Sequence, residues 1–115
     1  MAQDETIVIV PEEEIYEKIE KAVLAIPEVS RFTADGFQDL MKGIGQALGF
    51  RGHIGLLIRR SRKKGIKVDL SLALHKGCRV HETARYVQMV VKNLLVSVTD
   101  ENIYAIDVTV TDIID

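Results

Sequence analysis

The clearest pattern in the chain is a period of two. From Ile66 to His75, Ile66, Val68, Leu70, Leu72 and Leu74 alternate with Lys67, Asp69, Ser71 and Ala73. Side chains along a strand point alternately to its two faces, so this spacing predicts a strand with one buried face. His53–Arg60 reads as its hairpin partner, and Ser61–Gly65 (SRKKG) as the turn, where Gly65 can take a positive φ. Over Val80–Val98 the period becomes helical. Ala84, Val87, Val91, Leu94 and Val98 form a core stripe, and Tyr86, Met89 and Val90 widen the apolar surface beyond it. TDEN at 99–102 reads as a turn. Ile103–Ile113 predicts a last strand, with Tyr104, Ile106, Val108 and Val110 on one face and Ala105, Asp107, Thr109 and Thr111 on the other.

The front of the chain begins with a β-branched strand, Thr6–Val10, stopped by Pro11. Glu12–Ile26 predicts a helix. Three glutamates sit at the positive end of its dipole, Ile15, Ile19, Ala22, Val23 and Ile26 share one face, and Pro27 closes it. Ala34–Leu48 also has helical spacing, at Phe37, Leu40, Met41, Ile44 and Leu48. Gly43 and Gly45 each cost about 1 kcal/mol relative to alanine there, so a frayed helix and an ordered loop are both open readings. The order β-α-(α)-β-β-α-β predicts an α+β fold. The economical form is a two-layer sandwich, with the helices on one face of a small, mostly antiparallel, four-stranded sheet, and a split β-α-β topology is the natural candidate.

The 115 residues suit one domain, 1–115, that needs no disulfide or metal to fold. A 47% hydrophobic and 28% charged composition argues against disorder. With no Trp, three Tyr and three Phe, little aromatic surface is offered to bases or sugars. The single cysteine, Cys78, has no internal partner, which suits a reducing cytoplasm. The acidic start MAQDET argues against a signal peptide, and no apolar run approaches the ~20 residues that cross a bilayer. The net charge of −2 conceals a strong asymmetry: −6 over residues 1–50, +9 over 51–96 and −5 over 97–115. The middle segment can therefore attract an anionic partner although the whole chain is mildly acidic.

The stretch Gly65-Ile-Lys-Val-Asp-Leu-Ser-Leu-Ala-Leu, a short turn with Gly77, and Val80-His-Glu-Thr-Ala-Arg-Tyr-Val-Gln together resemble the most characteristic part of one family. Ile103-Tyr-Ala-Ile-Asp-Val-Thr-Val resembles its terminal strand, and PEEEIYEKIEKAVLAIPEVS its first helix and the loop after it. The family is the bacterial alkaline-shock (Gls-type) envelope stress response proteins. The resemblance implies a small cytoplasmic protein of cell-envelope homeostasis with no catalytic activity. It also implies self-association, or attachment to the inner face of the membrane through a separate anchor protein. The chain departs from the pattern in two places: the loop at 30–50 is less glycine-rich and carries Phe32, Phe37 and Phe50, and the hairpin turn is unusually basic.

Two surfaces are candidate contact sites. Arg59, Arg60, Arg62, Lys63 and Lys64 at the hairpin could hold RNA phosphates, an anionic membrane or an acidic protein. The same charges also fit a solvated turn that blocks edge-to-edge aggregation. Tyr86, Met89 and Val90, with Phe32, Phe37 and Phe50, make a docking or homo-oligomer face if exposed, and a second wall of the core if covered. Other motifs are weaker. Gly49-Phe-Arg-Gly52 mimics the GxxG loop of KH domains, but the apolar pattern at 54–58 favours a strand where a KH helix should follow. No GK[ST] makes a P-loop, and Gly43-x-Gly45 lacks the third glycine of a dinucleotide site. His75-x-x-Cys78-x-x-His81 has zinc-ligand chemistry, yet His53 or Glu82 would have to swing in as the fourth ligand. A Cys78–His dyad lacks an orienting group, and the carboxylates at 12–14 suit the helix dipole better than acid–base work. The expectation is a non-enzymatic protein-binding or scaffold module with no metal and no cofactor. Its partner-binding residues are Arg59, Arg60, Arg62, Lys63, Lys64, Tyr86, Met89 and Val90. The partner is a protein, membrane-anchored or a second copy. The alternative is a KH-like RNA-binding module that uses the basic hairpin and Gly49–Gly52.

Overall fold

A period-two strand rich in β-branched and leucine residues is best satisfied where both of its edges find hydrogen-bond partners. In the computed structural model, which describes residues 7–34 and 53–115, that strand is the centre of the sheet. We number it β4 (Gly65–His75), with β1 (Ile7–Ile9), α1 (Glu13–Leu24), β2 (Val29–Phe32) and β3 (Leu56–Ser61) before it. Helix α2 (Val80–Val98) and β5 (Ile103–Ile114) follow. β3 runs antiparallel along the first half of β4, from Ser61 opposite Gly65 to Leu56 opposite Leu70. β2 continues the same edge, with Val29 opposite Leu74 and Phe32 opposite Leu72. β5 lies parallel along the other edge, and β1 pairs antiparallel with β3. The chain is thus a small α+β protein, with two helices among the described residues and a sheet that is antiparallel apart from one pair.

The expected element order lacked β2, and this is corrected. VSRF is too short to carry a readable period. It becomes a strand because β3 ends at Leu56 and leaves the far half of β4 without a neighbour. His75 N–H donates to Glu28 O, and Thr33 N–H to Ser71 O. The expected helix Ala34–Leu48, with Phe37, Leu40, Met41, Ile44 and Leu48, lies outside the described residues, as do Phe50 and Gly49–Gly52.

The alternating residues Ile66, Val68, Leu70, Leu72 and Leu74 enter one core with Leu56 and Ile58 of β3. Ile19 and Val23 of α1 and Val87, Val91 and Leu95 of α2 complete it. Tyr16 belongs to the same stripe of α1 and donates its hydroxyl to Val10 O at 2.7 Å; burial pushes its pKa up to about 12. On α2 the buried positions are Thr83, Val87, Val91 and Leu95, so the stripe is rotated from the expected one, and Val98 is exposed.

The expectation of one buried face on β4 is also corrected. Asp69, Ser71 and Ala73, on the opposite face, are buried too. Thr33, just after β2, lies 2.8 Å from Ser71 Oγ and 2.7 Å from Thr111 Oγ1 of β5. Thr33 and Thr111 flank β4 on its two sides, and in a flat sheet their strands would be roughly 10 Å apart. Hydroxyl contact between them therefore means that the sheet is curled, concave on the side of Ser71.

Two register shifts set the faces of β5. They fall opposite Ile66/Lys67 and Leu72/Ala73, and make Tyr104 and Thr111 extra residues. Ile103, Ile106, Val108 and Val110 consequently pack against the core, whereas Tyr104, expected among them, is turned out and exposed.

Candidate functional site

The hairpin is shaped by its two ends. Ser61 and Gly65 are the last pair of the β3–β4 ladder, so only residues 62–64 form the turn. The Ser61 Oγ accepts hydrogen bonds from the backbone N–H groups of Lys63 and Lys64 at 3.2 and 3.1 Å. Among the basic residues the geometry makes a division. Arg59 donates to Asp69 Oδ2 at 2.7 Å and is largely buried. Arg60 grips Glu101 with two hydrogen bonds of 2.7 and 2.8 Å. The bond from Arg60 holds Glu101 below the usual carboxylate range, and the same pairing raises Arg60. Arg62, Lys63 and Lys64 remain exposed, and with Arg60, Glu101 and Asn102 they border a cleft of about 390 Å³.

A second depression of about 360 Å³ runs between α2 and β5, bordered by Gln88, Met89, Lys92, Ile103, Tyr104 and Ile106. Gln88 Nε2 donates to Ile106 O at 2.8 Å, across the edge of the sheet. Tyr86 and Met89 are half exposed, while Val90 turns inward and packs on the core. Of the three apolar residues read from the helix, two therefore stand on the surface. Tyr104 was not among the expected site residues, yet it joins the two depressions. It lines the groove, and Lys64 Nζ lies 5.7 Å from its ring centroid, within cation–π reach.

Cys78 is half-buried and packs against the core, away from a ligand role with the exposed His81. Among the described residues no group of three His, Cys, Asp or Glu side chains could hold a metal ion, and no helix is long and apolar enough to cross a membrane. His53, considered as a swinging ligand, is engaged elsewhere. Its Nε2 lies 2.5 Å from Glu13 Oε2 and its Nδ1 2.9 Å from Glu20 Oε2, and its ring stacks on Tyr16 at 4.6 Å. Two carboxylates at both ring nitrogens require the imidazolium, which donates twice. Burial opposes that charge, but the hydrogen bonds and attraction of Glu20 and Glu13 outweigh it and raise the pKa above 6.5. The His53 contribution to stability is thus full below the unfolded-state pKa and is lost as pH rises through the folded one. Thermal melts across mildly acid to mildly alkaline pH should show the native chain losing stability relative to His53→Gln. Parallel pH profiles for the two would refute the clamp.

Comparison with protein-family models, with curated proteins and with solved structures returns no match. The candidate surface consequently rests on its own geometry. Gln88 and Lys92 were legible in principle, since they stand four apart beside the core stripe. Tyr104 was not, because a bulge leaves no signal in the alternation.

Proposed function

We propose that the chain is a non-enzymatic protein-docking module of the alkaline-shock (Gls-type) envelope stress response class. In this reading, residues 1–115 form one two-layer domain with both helices on one sheet face. It works in the cytoplasm, or at the inner face of the membrane through an anchored partner. The observation that carries the reading is the position of Tyr104. It joins the exposed cations Arg62, Lys63 and Lys64 to the apolar groove of Met89 and Ile103, with Lys92 on its wall. Such a surface suits an acidic polypeptide segment with an apolar side chain. Charge accelerates the encounter and the groove supplies affinity. Arg59 and Arg60 stabilise the hairpin from inside and contact the partner least.

The test places a photo-crosslinking side chain at position 64, at position 89, and at Glu17 on the exposed face of α1 as a control. We expect the same polypeptide, identified by mass spectrometry, at 64 and 89 and not at 17. Its yield at position 89 should fall at least threefold in the triple variant Arg62→Glu, Lys63→Glu, Lys64→Glu, roughly the loss of one or two partly screened charge contacts. Nuclease-sensitive adducts at position 64 would instead establish the RNA-binding reading, and unchanged yield in the triple variant would remove the hairpin from the site.

A further inference from the structure

The outer edge of β5 carries the inference furthest. Which backbone groups point outward follows from the pairing. Ile66 N–H donates to Asn102 O, and Ile66 is opposite Ile103. In a parallel ladder, Ile66, Val68, Leu70 and Leu72 therefore bond β5 through alternate residues. Past the first bulge, these are Ala105, Asp107 and Thr109, which face β4. Ile106, Val108 and Val110 turn their N–H and C=O groups away from the sheet. The Gln88 side chain on Ile106 O agrees with this, since it supplies a donor where no strand among the described residues does. β5 is twelve residues long, and it has no Lys, Arg or Pro along it. Edges of that length are ordinarily blunted by such residues or by bulges, and the two bulges of β5, at Tyr104 and Thr111, leave the stretch 105–110 between them regular.

We propose that this edge pairs with β5 of a second copy of the chain, antiparallel, about a two-fold axis at Val108. The inference deepens the docking reading above and rests on it, since the added strand enters the α2–β5 groove. The register is narrowed by hydrogen-bonding parity, by charge and by the bulges, since an axis at Thr109 would set the extra residue Thr111 against Asp107. Antiparallel hydrogen-bonded pairs form between residues that both point outward, which allows Val108 opposite Val108 and Ile106 opposite Val110. A two-fold axis at Asp107 would set that carboxylate against its own copy, whereas the axis at Val108 sets each Asp107 against Thr109. Like charges directly opposite are destabilising, so the Val108 axis is favoured. On the core side, Ile106, Val108 and Val110 then meet one another across the junction. One charge pair also matches: antiparallel pairing brings Asp112 of one copy opposite Tyr104 of the other, beside Lys64 and Lys92.

Sedimentation velocity of the full chain tests this. The native chain should show a concentration-dependent dimer at micromolar to high-micromolar loading. Val108→Pro removes an outward N–H that bonds nothing among the described residues, and it should leave a monomer with unchanged circular dichroism. Thr109→Lys creates two Asp107–lysine pairs per dimer and should tighten it roughly fivefold, whereas Thr109→Asp should weaken it by a similar factor. The threonine pair decides the matter if the proline variant does not fold. A native chain that stays monomeric throughout, or a dimer indifferent to Val108→Pro and to both Thr109 variants, overturns the inference. A monomer whose crosslinks at 64 and 89 still carry another polypeptide leaves the docking reading standing alone. A dimer with only nucleic acid at those positions does the reverse.

Discussion

Replacing Asp69 by alanine is expected to lower the free energy of unfolding by about 3–5 kcal/mol, because it strands a buried guanidinium. Asp69 and Arg59 are both nearly removed from solvent, at 11% and 13% side-chain exposure, and their 2.7 Å hydrogen bond is the principal compensation for that burial. Arg59 has little else to turn to. Its Nε is buried without a hydrogen-bond partner among the described residues, and its cross-strand neighbour is Lys67, another cation. Lys67 turns to Asp107 at 3.3 Å. The loss should be read by urea denaturation with an unchanged slope. The double variant Arg59→Met, Asp69→Leu supplies the control. A well-packed apolar pair in place of a buried ion pair is often neutral or stabilising, so the double variant should recover most of the loss. A single variant that costs under about 1 kcal/mol, the range of exposed ion pairs, would show that water reaches the pair in solution.

The second large effect is expected at Gly65. Its φ of +111° lies where L side chains are rarely found, and a β-carbon there would sit 2.1 Å from Asn102 O and 2.9 Å from Asn102 C. These are backbone atoms, and they cannot retreat without loosening the 2.7 Å bond from Ile66 N–H to Asn102 O that starts the β4–β5 ladder. Gly77 offers a comparison within the same chain. Its φ is +93°, but a β-carbon there would meet nothing within 4 Å. Gly77→Ala should therefore cost only the backbone term, about 1–2 kcal/mol. Gly65→Ala adds the clash and should reach about 4 kcal/mol or more, in the range reserved for core disruption. Paired thermal melts settle the ranking. Equal losses at the two positions would mean that the hairpin and the start of β5 separate at little cost.

Much of this architecture could be read from residues alone, and the reasons for the failures are specific. β4 was legible because its five aliphatic residues alternate without a break, and α1 because Ile19, Val23 and Ile26 share a face between two prolines. β2 was not, since its strand character comes from the vacant half of β4 rather than from VSRF itself. The burial of Asp69 and Ser71 was hidden for a related reason: polar residues on a strand read as solvent-facing until an ion pair or a hydroxyl cluster is found for them. At the candidate site, the exposed cations of the turn were apparent from SRKKG. The internal use of Arg60 was not, because its partner Glu101 is 41 residues away. Tyr86 and Met89 were correctly marked as lying beyond a single core stripe, but periodicity could not separate them from Val90, which packs inward.

The placement of β5 has a consequence for how the chain is made. One whole flank of β4 is closed by a strand that the ribosome delivers after every other strand and both helices described here. Until residues 103–114 emerge, the nascent chain holds its central strand with a row of open peptide groups beside it. Folding from the amino end therefore stalls one strand short. During that interval, the open row is a place where a neighbouring chain can pair.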